Sequence, residues 1–410
     1  MLFVYNFCIK IYLLLIFIFS FFNRKARLWI NGRKNIFKII EKEQITGSTI
    51  WFHFASLGEF EQGRPVLEKI KQLYPHKKTF VTFFSPSGYE VRKNFAFADY
   101  VFYLPMDSKS NAEKFIKLVN PEIAVFTKYE YWYHYYHELA EKKIPLYVIS
   151  AIFRKEQPFF KWYGGLHRRI LGFVSHFFVQ DEKSKQLLDS MEVRKVTISG
   201  DTRFDRVFEN SQNPQQIQQV EDFCSGSNIF IAGSTWPQDE KLISALTQKN
   251  HGWKFIIAPH EIKEEKIISL EESLKVRSVR FSKVKSGAAL PSDASVLIID
   301  NIGMLSSLYQ YGNIAYIGGG FGSGIHNTLE AAAFGLPVIF GPNYQRFLEA
   351  KELIEAGAAF SIRDSEELET VLLKLKDPVI QKEKGLIAKM YVKNHTGATN
   401  KIVEKISDGF

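Results

Sequence analysis

The chain of 410 residues contains only two cysteines, Cys8 and Cys224. So few cysteines exclude a disulfide framework and a four-cysteine zinc site, and they are typical of a reducing compartment. The sequence also lacks an Asp-x-Asp pair, a P-loop lysine and a His/Cys cluster with the spacing of metal ligands. From these absences we expect neither a metal nor another cofactor.

Acidic residues are in the minority, because 44 Asp and Glu stand against 53 Lys and Arg, which gives a net charge of +9. This balance favours anionic partners: phosphates, acidic lipids or nucleic acid. Aromatic residues make up 15% of the chain, a composition that builds a packed core. At this length we expect two domains.

The N-terminal stretch Met1–Phe22 is apolar apart from Asn6, Lys10 and Ser20. As a helix rising ~1.5 Å per residue it would measure roughly 30 Å, about one bilayer core. The basic residues that follow it are Arg24, Lys25, Arg27, Arg33, Lys34 and Lys38. They place the rest of the chain in the cytoplasm. A cleaved signal peptide is the alternative, but nothing charged precedes Lys10 and the cleavage region is poor; the stretch therefore predicts an uncleaved anchor (1–22).

Short β-branched and aromatic runs alternate with amphipathic stretches such as Pro65–Leu73 and Glu330–Phe334. The runs predict strands at Thr49–Ala55, Thr79–Phe84, Ile123–Phe126, Leu146–Ser150, Phe177–Val179, Ile229–Gly233, Lys254–Ala258, Val296–Ile299, Ile314–Ile317 and Val338–Phe340. This alternation predicts an α/β fold of parallel sheets with helices on both faces.

The Gln-rich segment Glu209–Gln219 interrupts the apolar pattern and predicts a domain boundary near Asp205–Asn213. We expect an N-terminal domain (23–207) and a C-terminal domain (208–410), whose last helix could pack back on the first domain. Two α/β domains predict a ligand cleft between them, at the carboxyl ends of the strands.

Five glycines lie within Gly318–Gly324, directly after the apolar run Ile314–Ile317. This pattern predicts a strand, a glycine turn and a helix start, where a bare backbone and free N–H groups can approach a phosphate or sugar. The spacing does not fit the dinucleotide fingerprint G-x-G-x-x-G. The structural alternative is a helix with Asn327 as N-cap and Glu330 closing a capping box, although Glu330 could also reach a ribose.

Other polar groups also follow predicted strands. Glu59 can act as a general base or close a capping box on Ser56. Lys128 and Glu130, in Lys128-Tyr129-Glu130-Tyr131-Trp132, can face a charged substrate or form a solvated strand end. Arg203 can clamp a phosphate or carboxylate, or pair with a nearby aspartate.

Strand ends in the second half carry Ser234-Thr235, Pro259-His260 and Ile302-Gly303-Met304, which are plausible nucleotide contacts, although a lone histidine such as His260 is more often structural.

Basic and aromatic residues interleave from Arg154 to Arg169. Such a mixture suits an anionic lipid surface or single-stranded nucleic acid, and the anchor favours lipid. A solvated helix face is the alternative for this segment.

Together these motifs resemble those of the Kdo (3-deoxy-D-manno-octulosonic acid) transferases, which glycosylate the lipid A precursor. The resemblance covers nearly the whole chain and depends on the order and spacing of the motifs. They are Lys25–Trp29, Gly32–Lys34, Ser56–Glu59, Glu130–Trp132, Gly200–Asp205, Gly318-Gly319, His326–Ala333 and Gly341-Pro342.

The resemblance implies a GT-B fold, with two Rossmann-like domains whose sheets face a central cleft. It implies an inverting, metal-independent transfer of Kdo from CMP-Kdo to the 6′-hydroxyl of lipid IVA, in lipopolysaccharide biosynthesis at the cytoplasmic face of the bacterial inner membrane. Glu59 matches the family's base, and Arg203, Lys128 and Glu130 are the other expected catalytic residues. The expected CMP-Kdo contacts are Ser234, Thr235, Pro259, His260, Ile302, Gly303, Met304, Gly319, Gly320, Asn327, Thr328, Leu329 and Glu330. We expect residues 1–22 and 154–169 to contact the membrane. We expect no nucleic acid partner.

The chain departs from the family pattern in places. Lys128 stands where many members have a glutamate, and Arg203 replaces a lysine. Pro-Arg-His becomes Ala258-Pro259-His260, and Met-Gly-Glu becomes Ile302-Gly303-Met304. The alternatives are another GT-B nucleotide-sugar enzyme, either a different membrane glycosyltransferase or an epimerase, and a membrane-tethered scaffold without catalysis. An epimerase needs no bilayer, so the anchor speaks against it.

Overall fold

The structure, a computed structural model, describes residues 1–128 and 130–410, so Tyr129 of the predicted strand-end motif lies outside the described residues. These residues form two compact units. The first comprises Met1–Asp205 and Thr396–Phe410, and the second comprises Arg206–His395. The chain therefore leaves the first unit once and returns to it near its end.

The first unit is built on a parallel sheet. Its strands are β1 (Thr49–Phe54), β2 (Lys78–Phe83), β3 (Tyr100–Tyr103), β4 (Pro121–Thr127), β5 (Leu146–Ala151), β6 (His176–Val179) and β7 (Val196–Ile198). They pair in the order β3-β2-β1-β4-β5-β6-β7. The helices of this part of the chain are α1 (Leu2–Ser20), α2 (Arg24–Arg33), α3 (Ile36–Lys42), α4 (Leu57–Leu73), α5 (Pro86–Arg92), α6 (Lys109–Val119), α7 (Tyr133–Glu141), α8 (Gly165–Leu171), α9 (Glu182–Asp189) and α10 (Thr202–Gln212).

The second unit repeats this plan. Its strands are β8 (Asn228–Thr235), β9 (Trp253–Pro259), β10 (Ser278–Arg280), β11 (Val296–Ile298), β12 (Ile314–Ile317), β13 (Val338–Phe340) and β14 (Ala359–Ser361). They pair in parallel in the order β10-β11-β9-β8-β12-β13-β14. The remaining helices are α11 (Gln218–Cys224), α12 (Pro237–Lys249), α13 (Glu264–Ser273), α14 (Phe281–Lys285), α15 (Leu305–Leu308), α16 (Leu329–Ala333), α17 (Leu348–Glu355), α18 (Ser365–Leu375), α19 (Pro378–Asn394) and, in the first unit, α20 (Ala398–Ser407).

Apolar side chains cover both faces of the sheets. In β1 every residue is buried, with Trp51 in one core cluster and Phe52 and Phe54 in the other. Burial on both faces explains why the strands read as continuous apolar runs, and it confirms the predicted α/β class. The expected helix Pro65–Leu73 is longer than predicted, because α4 begins at Leu57 with Pro65 inside it.

Both sheets have a switch point, where neighbouring strands lead into connections that run in opposite directions. It lies between β1 and β4 in the first unit and between β8 and β12 in the second. Ligands of such sheets bind beyond the carboxyl ends of the strands at this point. Glu59, Lys128 and the Gly318–Gly324 loop follow these strands, and Ser234 is the last residue but one of β8.

Asp205 ties the C-terminal helix α20 to the first unit. Its carboxylate accepts hydrogen bonds from the backbone N–H groups of Gly397 and Thr399, and from the Thr399 hydroxyl at 2.7 Å. The backbone groups at the start of α20 have no partner inside the helix, so this carboxylate caps the helix from outside.

We predict that Asp205→Ala lowers the free energy of unfolding by roughly 1–3 kcal/mol, the cost of leaving such donors without their charged partner. Hydrogen exchange of the α20 amides should accelerate. The control is Asp408→Ala, because Asp408 pairs with Lys405 at an exposed position on the same helix. Equal exchange in both variants would contradict the capping role.

Candidate active site

The first candidate group lies where β1 ends and α4 begins. Ser56 is the N-cap of α4, and its side chain accepts from the backbone N–H of Gly58. The Ser56 hydroxyl also donates to the carboxylate of Glu59, which is half-buried in the first turn. Ser56 is thus the N-cap of α4, and it also orients Glu59 beside the switch point. Glu59 accepts from the Ser56 hydroxyl, whereas the capping box of the structural alternative requires it to accept from the Ser56 backbone N–H.

Glu130, the second candidate carboxylate, is held in position by two neighbours. Its Oε2 atom accepts from Trp132 Nε1 at 2.7 Å and lies 3.3 Å from His53 Nε2. Because a carboxylate only accepts, His53 carries its proton on Nε2, and its Nδ1 faces the Thr82 hydroxyl at 2.8 Å. Burial lowers the pKa of His53 below its ordinary value, so the ring is neutral at pH 7.

His53 was missed by the sequence reasoning. The available signal was its position in Thr49–Phe54, where a titratable side chain interrupts a buried apolar strand. A buried polar side chain requires a hydrogen-bond partner. What the sequence does not show is that this partner is Glu130, 77 residues further along the chain.

Lys128 follows β4 directly and has an unusual backbone. Its φ angle is +59°, in the left-handed region that a lysine rarely adopts. Its N–H donates to the carbonyl of Ile149 at 3.0 Å, which extends the ladder between β4 and β5. Strained backbone of this kind clusters at functional sites.

Arg203 is paired inside its own motif. Its Nε donates to Asp201 Oδ2 at 2.8 Å, and its backbone N–H donates to Asp201 Oδ1 at 2.9 Å. Asp201 is buried, whereas about a third of the Arg203 side chain is exposed. The structure therefore contains the Arg–Asp pair of the alternative interpretation, and Asp201 sets the direction of the guanidinium.

The basic-aromatic segment 154–169 forms a 3₁₀ turn at Pro158–Phe160 followed by α8, not one solvated helix. Phe159 is buried against Tyr131, whereas Trp162 is 91% exposed. A cavity of about 330 Å³ lies under this segment; its lining residues are Glu130, Tyr131, Trp132, Gln157, Pro158, Phe159 and His167. The fold thus brings the predicted lipid-facing segment next to Glu130.

The second unit has a cavity of about 290 Å³ at its switch point. Its lining residues are Ser234, Gly303, Leu305, Ser306, Tyr309, Ile317, His326, Asn327 and Glu330. It unites four predicted contacts: Ser234, Gly303, Asn327 and Glu330. Ser234 is an extra residue in the β8–β9 pairing and has a φ of +55°, so a β-bulge sets its direction.

Asn327 and Glu330 interact, but not as the predicted capping box. Asn327 Nδ2 donates to Glu330 Oε1 at 3.1 Å, and Asn327 Oδ1 accepts from the backbone N–H of Leu329. The N-cap of α16 is Thr328, because the helix begins only at Leu329. The side chains of Thr235, Thr328 and Leu329 are buried and are not among the lining residues of this cavity.

Three rings stack beside this cavity. The ring centroids of Trp236 and His260 are 4.6 Å apart, and those of His260 and His326 are 4.5 Å apart. Trp236 Nε1 donates to His326 Nε2 at 3.1 Å, so His326 is neutral with its proton on Nδ1. Burial, with His260 nearby, lowers the pKa of His326 in agreement with this.

Of the other predicted contacts, Pro259 and Met304 are half-buried and Ile302 is 85% exposed.

Within the Gly318–Gly324 loop, Gly318 to Gly320 are packed against other backbone, whereas Gly322 and Ser323 are exposed. A Cβ on Gly318 would lie 2.3 Å from Ser234 O, and one on Gly320 would lie 2.6 Å from the backbone of Gly341. The N–H of Gly319 donates to Asp239 Oδ2 at 2.9 Å. Gly319 and Gly320 are thus required by close packing.

Asp239 is the residue that organises this loop, and it was also missed. It is buried and accepts from Tyr316 OH at 2.6 Å, from Gly319 N and from Trp236 N. The available signal was Pro237 followed by Asp239 at the start of α12, an order typical of the first helical turn.

We predict that Gly320→Ala destabilises the chain by about 1–3 kcal/mol, because the added methyl group forces two backbones apart. Gly322→Ala is the matched control, since its nearest atom would lie at 3.7 Å. Thermal unfolding of both variants makes the comparison. An unchanged melting temperature for Gly320→Ala would contradict the packing role.

Comparison with known proteins bears on this geometry. The sequence profile of the family described as 3-Deoxy-D-manno-octulosonic-acid transferase (kdotransferase) matches residues 30–206. A 3-deoxy-D-manno-octulosonic acid transferase of Rickettsia bellii is 26% identical, over 97% of this chain and 93% of that protein. A bifunctional glycosyltransferase/methyltransferase of Fusobacterium nucleatum is also 26% identical, over 95% of this chain, but the chain spans only 63% of that protein's length.

Among solved structures, a UDP-GlcNAc 2-epimerase from Neisseria meningitidis, bound to UDP-GlcNAc, is similar with a TM-score of 0.61. The match covers 88% of this chain and all of that one, at 17% identity, and so concerns the fold alone. The predicted GT-B class is confirmed. By the profile, the similar sequences and the order of motifs around Glu59, Glu130 and Glu330, the chain is similar to the Kdo transferases, a family of glycosyltransferases.

Proposed function

We propose that the chain transfers Kdo from CMP-Kdo to the 6′-hydroxyl of lipid IVA, in lipopolysaccharide biosynthesis at the cytoplasmic face of the bacterial inner membrane. The observation that carries this proposal is Glu59, a carboxylate oriented by Ser56 at the carboxyl end of β1, in the motif where the family has its base. The choice of CMP-Kdo as the donor rests on the resemblance of the motifs to those of the Kdo transferases.

In the proposed reaction, Glu59 accepts the proton of the 6′-hydroxyl while that oxygen bonds to the anomeric carbon of Kdo. The bond from this carbon to the CMP phosphate oxygen breaks with inversion, and CMP leaves as an anion. The Ser56 hydroxyl keeps the Glu59 carboxylate in one orientation, so that its second oxygen can take the proton.

We assign the nucleotide to the cavity of the second unit. Glu330 and Asn327 already form a hydrogen-bonded pair there, and ribose hydroxyls can donate to the same carboxylate. The stacked rings of Trp236, His260 and His326 offer a flat aromatic wall beside it for a base or sugar.

The leaving phosphate needs positive charge nearby, and in the proposed reaction side chains supply this charge without a metal ion. Arg203, directed by Asp201, and Lys128, with its left-handed backbone, are the proposed cations. Glu130 is fixed by Trp132 and His53 beside Lys128, so its proposed role is to place neighbouring groups.

We predict that Glu59→Gln reduces transfer by ~10²–10⁴-fold, because glutamine accepts the Ser56 hydrogen bond but not the proton. Kdo transfer to lipid IVA is measured with purified enzyme in detergent. The control is Glu61→Gln on the same helix, where Glu61 pairs with Arg92 at 2.7 Å. Activity of Glu59→Gln within a few-fold of wild type would contradict the assignment.

For the nucleotide site, we predict that Glu330→Gln weakens CMP binding by about five- to thirty-fold, a loss of roughly 1–2 kcal/mol, because a neutral amide accepts ribose hydrogen bonds poorly. The melting temperature should stay near wild type. Glu355→Gln, exposed at the end of α17, is the control for calorimetric titration. A lower melting temperature with unchanged CMP affinity would make Glu330 purely structural.

A further inference from the structure

The first helix, α1, presents one continuous stripe to the rest of the first unit. Its less exposed residues recur every three or four positions, which is the spacing of one helical face. They are Leu2, Tyr5, Asn6, Ile9, Leu13, Ile16 and Ser20. The stripe runs from the first turn to the last, so the whole helix lies along the protein.

Buried polar contacts hold the N-terminal end of this helix. Tyr5 OH donates to Asp107 Oδ2 at 2.5 Å, and Asn6 Oδ1 lies 2.7 Å from His134 Nε2. Asp107 is buried and also accepts from the backbone N–H groups of His134 and Tyr135 at the start of α7. Withdrawing α1 would take one partner from a buried carboxylate, which is costly.

The middle and the C-terminal end are held as well. The ring of Tyr12 stacks on Phe84 at 6.2 Å and meets Trp29 edge-on at 6.3 Å. At the far end, Arg27 of α2 donates to the carbonyls of Ser20 and Phe21. These carbonyls end the helix, so α2 caps α1 and the two helices form a hairpin.

The outward face of α1 is covered with large exposed apolar side chains, including Phe3 at 82% and Leu14 at 59%. The helix is also long and apolar enough to cross a membrane by length and composition. A contiguous apolar surface of this kind marks an interaction site, and its chemistry fits lipid. Lys10 is exposed near the middle of the helix, where a spanning orientation would place its charge in the centre of the bilayer.

We propose that α1 lies in the plane of the membrane surface, with its outward face in lipid and its inner stripe on the first unit, and does not span the bilayer. A spanning helix would carry Tyr5 and Asn6 to the far side, away from Asp107 and His134. This inference rests on the membrane association proposed above and replaces the spanning anchor expected from residues 1–22.

This placement sets the bilayer beside the candidate site. Tyr12 stacks on Phe84, the ring of Phe84 lies 5.1 Å from that of Trp132, and Trp132 donates to Glu130. Phe84 follows β2, next to β1 in the sheet. A lipid acceptor in the surface layer would therefore reach the strand ends without leaving the membrane.

The side of the membrane on which the N-terminus lies tests this proposal. The chain carries an epitope tag ahead of Met1, and protease is added to two membrane preparations. One is sealed inverted vesicles, whose cytoplasmic face points outward, and the other is right-side-out spheroplasts. We expect digestion in the inverted vesicles and protection in the spheroplasts. Digestion from the periplasmic side of spheroplasts would overturn the proposal.

Cross-linking in native membranes tests the docked stripe directly. In a Cys8→Ser, Cys224→Ser background, Asn6→Cys with His134→Cys should be joined by a short bifunctional thiol reagent. The matched control, Phe3→Cys with His134→Cys, points away from the protein and should remain uncoupled. No cross-link in the first pair, in membrane-bound protein, would overturn the docking.

Kdo transfer is measured on the same vesicles, so that the two proposals fail separately. Full transfer with the tag on the periplasmic side would refute the in-plane helix and leave the proposed function standing. A tag on the cytoplasmic side with no transfer would refute the proposed function and support the in-plane helix.

Discussion

The burial of both faces of two parallel sheets is the constraint on which the rest of the structure depends. Strands such as β1 and β8 can carry few polar side chains, and those they carry must be paired. Polar chemistry is therefore concentrated where the strands end, at the switch points between β1 and β4 and between β8 and β12. Glu59, Lys128 and Ser234 lie there, whereas the polar residues within the layers, His53 and Asp239, have hydrogen-bond partners.

The sequence reasoning predicted the interior strands and missed the edge strands. All ten predicted runs correspond to strands, with ends that differ by at most two residues. The strands that were missed are β3, β7, β10 and β14, which form the four sheet edges. Three of them, β7, β10 and β14, have only three residues each, which leaves little periodic signal, whereas β3 is a run of four aromatic and β-branched residues that the sequence reasoning overlooked.

At the candidate site, features formed by residues close in sequence could be predicted, and hydrogen bonds between residues distant in sequence could not. The pattern from Ser56 to Glu59 predicts a helix start within four residues, and the structure has Ser56 as the N-cap of α4. The pairing of His53 with Glu130, and of Asp239 with Gly319, spans 77 and 80 residues and has no local signature. The same holds for α1, because hydropathy indicates a membrane helix but cannot show that Tyr5 docks on Asp107.

The central claim is that this chain moves a Kdo residue from a nucleotide donor to a lipid disaccharide. The most direct test is mass spectrometry of lipid IVA after incubation, in bilayers, with the purified full-length chain, CMP-Kdo and a chelator of divalent metals. The account predicts an acceptor heavier by whole Kdo residues and an equal amount of free CMP. An acceptor of unchanged mass, with CMP-Kdo intact or merely hydrolysed, would contradict it.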